Sequence, residues 1–139
     1  MYNDMEHAAK ALAVAGSAAF LALKINRVLM RRFGEHAVQF LIPLAEEAIK
    51  TGSAVLLQFS VVSIHLGFGL CEAGYDLIAN PEVGSAKRLG AALLAIAGHG
   101  LFGWITWLLM ELVGSVFFAV AAAYMVHVLW NLVVFNIKR

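Results

Sequence analysis

The sequence predicts an all-α fold, a polytopic membrane bundle of about five transmembrane helices, and three observations carry that prediction. Hydrophobic residues make up 62% of the 139-residue chain and charged residues 14%. The mean hydropathy of +0.82 lies well above that of a soluble domain of this size. The apolar residues fall in runs bounded by polar clusters, without the alternation of barrel strands. Only helices and closed barrels satisfy backbone groups in lipid, so the runs read as helices. Ten Lys and Arg against nine Asp and Glu leave no net field that calls for nucleic acid. The single cysteine, Cys71, permits no disulfide framework within the chain.

The first run covers residues 8–23. Lys10 ahead of an apolar stretch is also how a cleavable signal peptide begins, but Asp4 and Glu6 dilute the basic start. The flank KINRVLMRR resembles a stop-transfer sequence more than a small-residue cleavage site, so the run reads as a span. Residues 24–35 read as a basic interfacial segment whose Lys24, Arg27 and Arg31 reach lipid headgroups. The second span, 36–51, is the weakest, because an apolar stretch of residues 36–50 covers only ~22 Å of a ~30 Å hydrocarbon core, which calls for a thinned membrane, a tilt into its neighbour or continuation beyond Gly52. Pro43 removes the amide that would bond the carbonyl of Gln39, which predicts a kink or a bare carbonyl there. The remaining spans are 53–79, 89–110 and 114–137, all in one membrane-embedded domain. Eight of the ten basic residues fall in three clusters: Lys24 to Arg32, Lys87 with Arg88, and Lys138 with Arg139. Five spans put all three clusters on one face, which the positive-inside rule makes cytoplasmic, with the N-terminus outside. The plasma membrane of a prokaryote is the expected location.

Ionisable groups inside a membrane are costly and mark function by default. Glu46, Glu47, Lys50, His65, Glu72, Asp76, His99 and His127 all lie within or at the ends of the apolar runs. Counted from the cytoplasmic ends of their helices, Glu46, Glu72, His99 and His127 fall roughly 10–17 Å deep, in one layer. His65 and Glu72 share a face with Phe68 between them, and His127 and Asn131 are one turn apart. Glu46 and Glu47, about 100° apart around a helix, are expected not to face one target, although Lys50 can reach either. His65 alone reads as a hydrogen-bonded packing residue. The others, converging in one layer, suit a zinc or a water-activating carboxylate. Neither His-Glu-x-x-His nor Cys-x-x-Cys occurs.

Four motifs follow one another on successive runs: EEAIK at Glu46–Lys50 just after Pro43, FGLCE from Phe68 to Glu72, HGLFG at His99, and HVLWN from His127 to Asn131. In that order they resemble the signature of the PrsW family of intramembrane proteases, relatives of the CAAX-processing and bacteriocin-processing (CPBP) membrane endopeptidases. The resemblance spans residues 43–131 and implies a glutamate-activated water that hydrolyses peptide bonds of a membrane protein or peptide substrate. It implies that the Glu46/Glu47 pair activates the water and that Glu72 stands where CAAX-type relatives carry a water-orienting His. His127 and Asn131 then match the pair that binds a metal or the oxyanion, and His99 matches an additional His of the PrsW side, with Lys50 and Phe68 in support. The chain departs from that family in having fewer spans, so that gating elements fall to a homo-oligomer or are missing. Which glutamate is the base stays open. The expected site is metal-assisted, with zinc or another divalent ion on Glu72, His99 and His127 offsetting the glutamates' charge; the alternative is an ion-free site that leaves His127 and Asn131 as oxyanion donors.

Two other functions compete. A proton- or ion-coupled transporter would use the same Glu and His groups as a relay, although no internal repeat links two halves of the chain. A non-catalytic membrane scaffold would suit the short length. Glycines 67, 69, 74, 98, 100 and 103 flank Glu72 and His99 and are expected to admit close helix approach.

Overall fold

The structure, a computed structural model, describes residues 2–79 and 81–137, so the closing pair Lys138 and Arg139 lies outside it. Its elements in chain order are α1 (Tyr2–Phe33), a π-helical turn (Ala37–Leu41), α2 (Ile42–Leu56), α3 (Val61–Ala79), α4 (Ser85–Val113) and α5 (Val116–Ile137). No strand occurs among the described residues, and the chain is a helical bundle. Four helices, α1, α3, α4 and α5, are long and apolar enough to cross a membrane. That fits an integral membrane protein. So does the inverted surface: Phe117, Leu56, Ile78 and Leu112 are more than two-thirds exposed, whereas Glu47, Lys50, Thr51 and His65 are fully buried. Apolar surface costs nothing against lipid tails, whereas an unpaired polar group there costs several kcal/mol.

The helix ends follow local chemistry. Gly34 (φ 59°) and Gly114 (φ 69°) close α1 and α4 with left-handed caps, their amides bonding Met30 and Met110 carbonyls at 2.9 Å. Ser60 and Ser115 open α3 and α5, each hydroxyl accepting from the amide three residues on at 3.3 Å. Three boundaries correct the sequence reading. The segment 24–35, expected at the interface, is the unbroken continuation of α1 as far as Phe33, because no glycine or proline interrupts it. The break expected at Gly52 is absent, since one helical glycine costs only about 1 kcal/mol. The chain turns instead at residues 57–60, where Gln58 takes φ 58° and Ser60 caps the next helix.

The third correction is at Pro43. The π-turn moves the hydrogen-bond register by one residue, the Ile42 amide bonding the Ala37 carbonyl. In that register the carbonyl that Pro43 would have satisfied belongs to Val38, five residues back, and not to Gln39. The side-chain amide of Asn131 on α5 donates to the Val38 oxygen instead, at 3.2 Å. The π-turn (5 residues) and α2 (15 residues) together reach about 30 Å at the helical rise. This element is too polar to count among the apolar spans. It packs against α1, α3 and α5 and turns Pro43, Glu46, Glu47, Lys50 and Thr51 inward.

Helix α1 closes the bundle through Ala11, Ala15, Ala18 and Ala22, a buried small-residue stripe that packs on Ile64 and Phe68 of α3. Small residues at this spacing let two helices approach closely in a membrane. Short connections and contacts such as the His7 and Phe59 rings at 5.1 Å make consecutive elements antiparallel neighbours.

Candidate active site

The polar groups expected in one layer are brought together by hydrogen bonds that join four helices. Lys50 stands at the centre, fully buried. Its ammonium donates to Glu47 Oε1 at 2.6 Å and to His99 Nδ1 at 2.9 Å, and it lies 4.7 Å from the centre of the Phe68 ring. An ammonium only donates, so His99 Nδ1 accepts; its Nε2 then carries the proton and donates to Glu72 Oε2 at 2.5 Å. On the other side His127 Nδ1 donates to Glu47 Oε1 at 2.8 Å, since a carboxylate oxygen can only accept. The His127 ring stacks on Phe102 at 4.4 Å. The result is one chain from α5 through α2 and α4 to α3: His127, Glu47, Lys50, His99, Glu72.

The two glutamates differ sharply in surroundings. Glu47 is completely buried, its Oε1 taken by Lys50 and His127. Its Oε2 and the Nδ1 of His65 stand 3.7 Å apart, neither with a hydrogen bond among the described residues. His65 also meets Thr51 Oγ1 at 3.3 Å, so it is a hydrogen-bonded interior residue placed directly against Glu47. Glu46 instead lines two cavities. One, of about 320 Å³, is mostly apolar and runs between α1 and α3 along Phe20, Leu23, Phe68 and Tyr75. The other, of about 310 Å³, is bordered by Val38, Ile42, His127, Trp130 and Asn131. Asn26, Glu46, Glu72 and Asp76 border both. Glu46 Oε1 accepts from Asn26 Nδ2 at 2.7 Å, and Oε2 is 4.0 Å from both Lys50 Nζ and His127 Nε2. The expectation that Glu46 and Glu47 could not address one target is therefore corrected: both reach toward Lys50 and His127, because those two side chains lie between them.

Comparison with protein-family models, with curated proteins and with solved structures gives no match. The chemistry of this chain rests on its own residues.

The zinc expectation can be tested on the donor set. No three His, Cys, Asp or Glu side chains converge on one point among the described residues. His99 has no lone pair to give, since Nδ1 accepts from Lys50 and Nε2–H donates to Glu72. As arranged, Glu72, His99 and His127 do not fit a shared metal. The positive charge among the glutamates is the Lys50 ammonium.

Asn26 was missed in the sequence, read there as part of a basic interfacial segment. Its signal was present: positions 11, 15, 18 and 22 form the small-residue face of α1, and residue 26 extends that face by one turn. Two glycines seat the histidines. A Cβ at Gly69 would lie 3.0 Å from His99 Cβ, and one at Gly103 only 2.6 Å from His65 Cβ, so α3 and α4 meet where those rings need room.

Proposed function

We propose that this chain is a membrane-embedded peptidase in which Glu46 activates water against a peptide bond of a membrane-associated substrate, without a metal. The observation that carries the reading is the asymmetry of the glutamate pair. Glu46 presents Oε2, without a hydrogen bond among the described residues, at the junction of two cavities and 4.0 Å from His127 Nε2, a gap that one water can occupy. Glu47 borders neither cavity and is saturated on Oε1, which suits an anchor for Lys50 and His127. In the reaction Glu46 takes a proton from the water, the resulting hydroxide adds to the carbonyl carbon, and the oxyanion forms in a site whose resident cation is Lys50. The C–N bond then breaks, and the proton held by Glu46 passes to the departing amine. Asn131 was expected as an oxyanion donor. One of its amide protons is committed to Val38, so its part in this reading is to hold α5 against the π-turn.

A transporter reading has the His127-to-Glu72 chain in its favour. Both of its ends, however, border the same cavity, whereas a proton path across the bilayer must open on opposite faces. The orientation proposed is the one the basic clusters favour, with the basic face cytoplasmic.

The test is hydrolysis of an internally quenched peptide carrying one hydrophobic transmembrane segment, in liposomes. Glu46→Gln is expected to insert and fold normally yet lose all cleavage, because an amide cannot take the proton. Wild type treated with chelator is expected to keep its activity. Full cleavage by Glu46→Gln removes the base from this reading, and stoichiometric metal whose removal stops cleavage replaces the ion-free mechanism.

A further inference from the structure

Helix α1 lies outside the stretch that carries the four motifs, yet among the described residues it supplies the one direct hydrogen bond to the proposed base. Asn26 Nδ2 donates to Glu46 Oε1 at 2.7 Å, and the opposite assignment of the amide would set oxygen against oxygen. The other oxygen of Glu46 stays 4.0 Å from Lys50 Nζ and 4.0 Å from His127 Nε2, too far for a hydrogen bond to either. A glutamate four residues from a buried lysine on one helix ordinarily closes on it. This one is held short of doing so. We propose that Asn26 is a positioning residue that keeps Glu46 out of the ion pair with Lys50, and so leaves Oε2 free to act as the base. The inference rests on the peptidase reading.

The argument is one of competing partners. Lys50 already satisfies Glu47 and His99, and its remaining proton is the strongest donor within reach of Glu46. The terminal torsion of a glutamate is soft, so without a restraint the carboxylate would swing the remaining distance and pair with the ammonium. A base so paired loses both its alignment with the water and its basicity. Asn26 pins the far oxygen from the opposite side. It does so at a local cost, since its own Oδ1 finds no hydrogen-bond partner among the described residues. A residue kept only for packing at this place would not need a carboxamide. An apolar side chain of the same size would spare the orphaned acceptor.

The experiment compares wild type, Asn26→Leu, Asn26→Asp and Asn26→Gln on the same quenched transmembrane peptide in liposomes, with thermal unfolding measured in detergent. Asn26→Leu is expected to lower kcat about 10²-fold, the scale of a small misplacement of a catalytic group, with KM unchanged and a Tm equal to or above wild type. Asn26→Asp keeps the shape but faces Glu46 with a carboxylate, and the same loss of kcat is expected, so the comparison survives if the leucine variant fails to fold. Asn26→Gln restores a donor and is expected to recover most of the rate. Wild-type kcat in Asn26→Leu or Asn26→Asp overturns the proposal while leaving the peptidase reading intact. Loss of activity that tracks a lowered Tm without recovery in Asn26→Gln overturns it as well, by making Asn26 a folding residue, as does failure of both donor-less variants to fold. A wild-type protein that cleaves nothing defeats the peptidase reading first and the proposal with it.

Discussion

Replacing Lys50 with methionine removes the buried ammonium at the centre of the bundle, and the structure fixes how much that should cost. The Lys50 Nζ and Glu47 Oε1 atoms are 2.6 Å apart, so at an effective dielectric of about 20 their attraction is roughly 6 kcal/mol. Part of that offsets the desolvation of the ammonium, which methionine does not incur. Glu47, however, remains fully buried with only His127 and the more distant His65 beside it. Removing one partner of a buried pair typically costs about 3–5 kcal/mol, which corresponds to a fall in Tm on the order of 10 °C. Methionine matches the length of the lysine stem and fills the space beside Phe68 and Phe102, so the loss is one of charge and not of packing. The assay is thermal unfolding in detergent of wild type, Lys50→Met and the double variant Lys50→Met/Glu47→Gln. The double variant is expected to recover much of the loss, because a neutral amide beside His127 needs no counter-ion. A single variant as stable as wild type, or a double variant no better than the single, would refute the idea that Lys50 is there to hold a buried carboxylate.

The helix contacts make a second expectation. Gly103→Ala places a Cβ 2.6 Å from His65 Cβ and 3.3 Å from the Val62 backbone, so α3 and α4 must part at about 1–3 kcal/mol of overpacking. Gly74→Ala meets open space and should be neutral or stabilising by up to about 1 kcal/mol. Equal stabilities would mean that α3 and α4 do not approach as described. For topology, a reporter fused after Arg139 is expected to read cytoplasmic and one fused before Met1 to read outside. Both reading from one side would reverse the orientation of part of the bundle and with it the common depth of the site.

Much of this architecture could be read from the chain because membrane helices announce themselves by apolar length, which needs no tertiary information. Their polar exceptions are equally visible: Glu46, Glu47, Lys50, Glu72, His99 and His127 are conspicuous because they interrupt long apolar runs. What stayed hidden depended on partners. Whether Gly52 ends a helix depends on what the chain does beyond it, and the decisive residue was Ser60. The facing of Glu46 and Glu47 could not be taken from the helical wheel, because Lys50 and His127 occupy the space between their two directions. Nor does spacing show that His99 has Lys50 on one ring nitrogen and Glu72 on the other. Asn26 was masked by the arginines around it, which drew the eye to the membrane surface and away from the face turned inward.

The π-turn at residues 37–41 has a consequence for how this element tolerates change in length. It divides the polypeptide from Ala37 to Leu56 into two sections whose angular phases are set independently, one by α1 and α5 and the other by the buried lysine and glutamates. Such a turn is a one-residue insertion absorbed into a helix. Deleting a single residue there would restore ordinary winding upstream and leave Glu46, Glu47 and Lys50 in their present directions, whereas the same deletion between Glu47 and Lys50 would rotate the lysine about 100° away from its partners. The length of this element is thus negotiable at its beginning and fixed in its middle, with Pro43 marking the point where one regime gives way to the other.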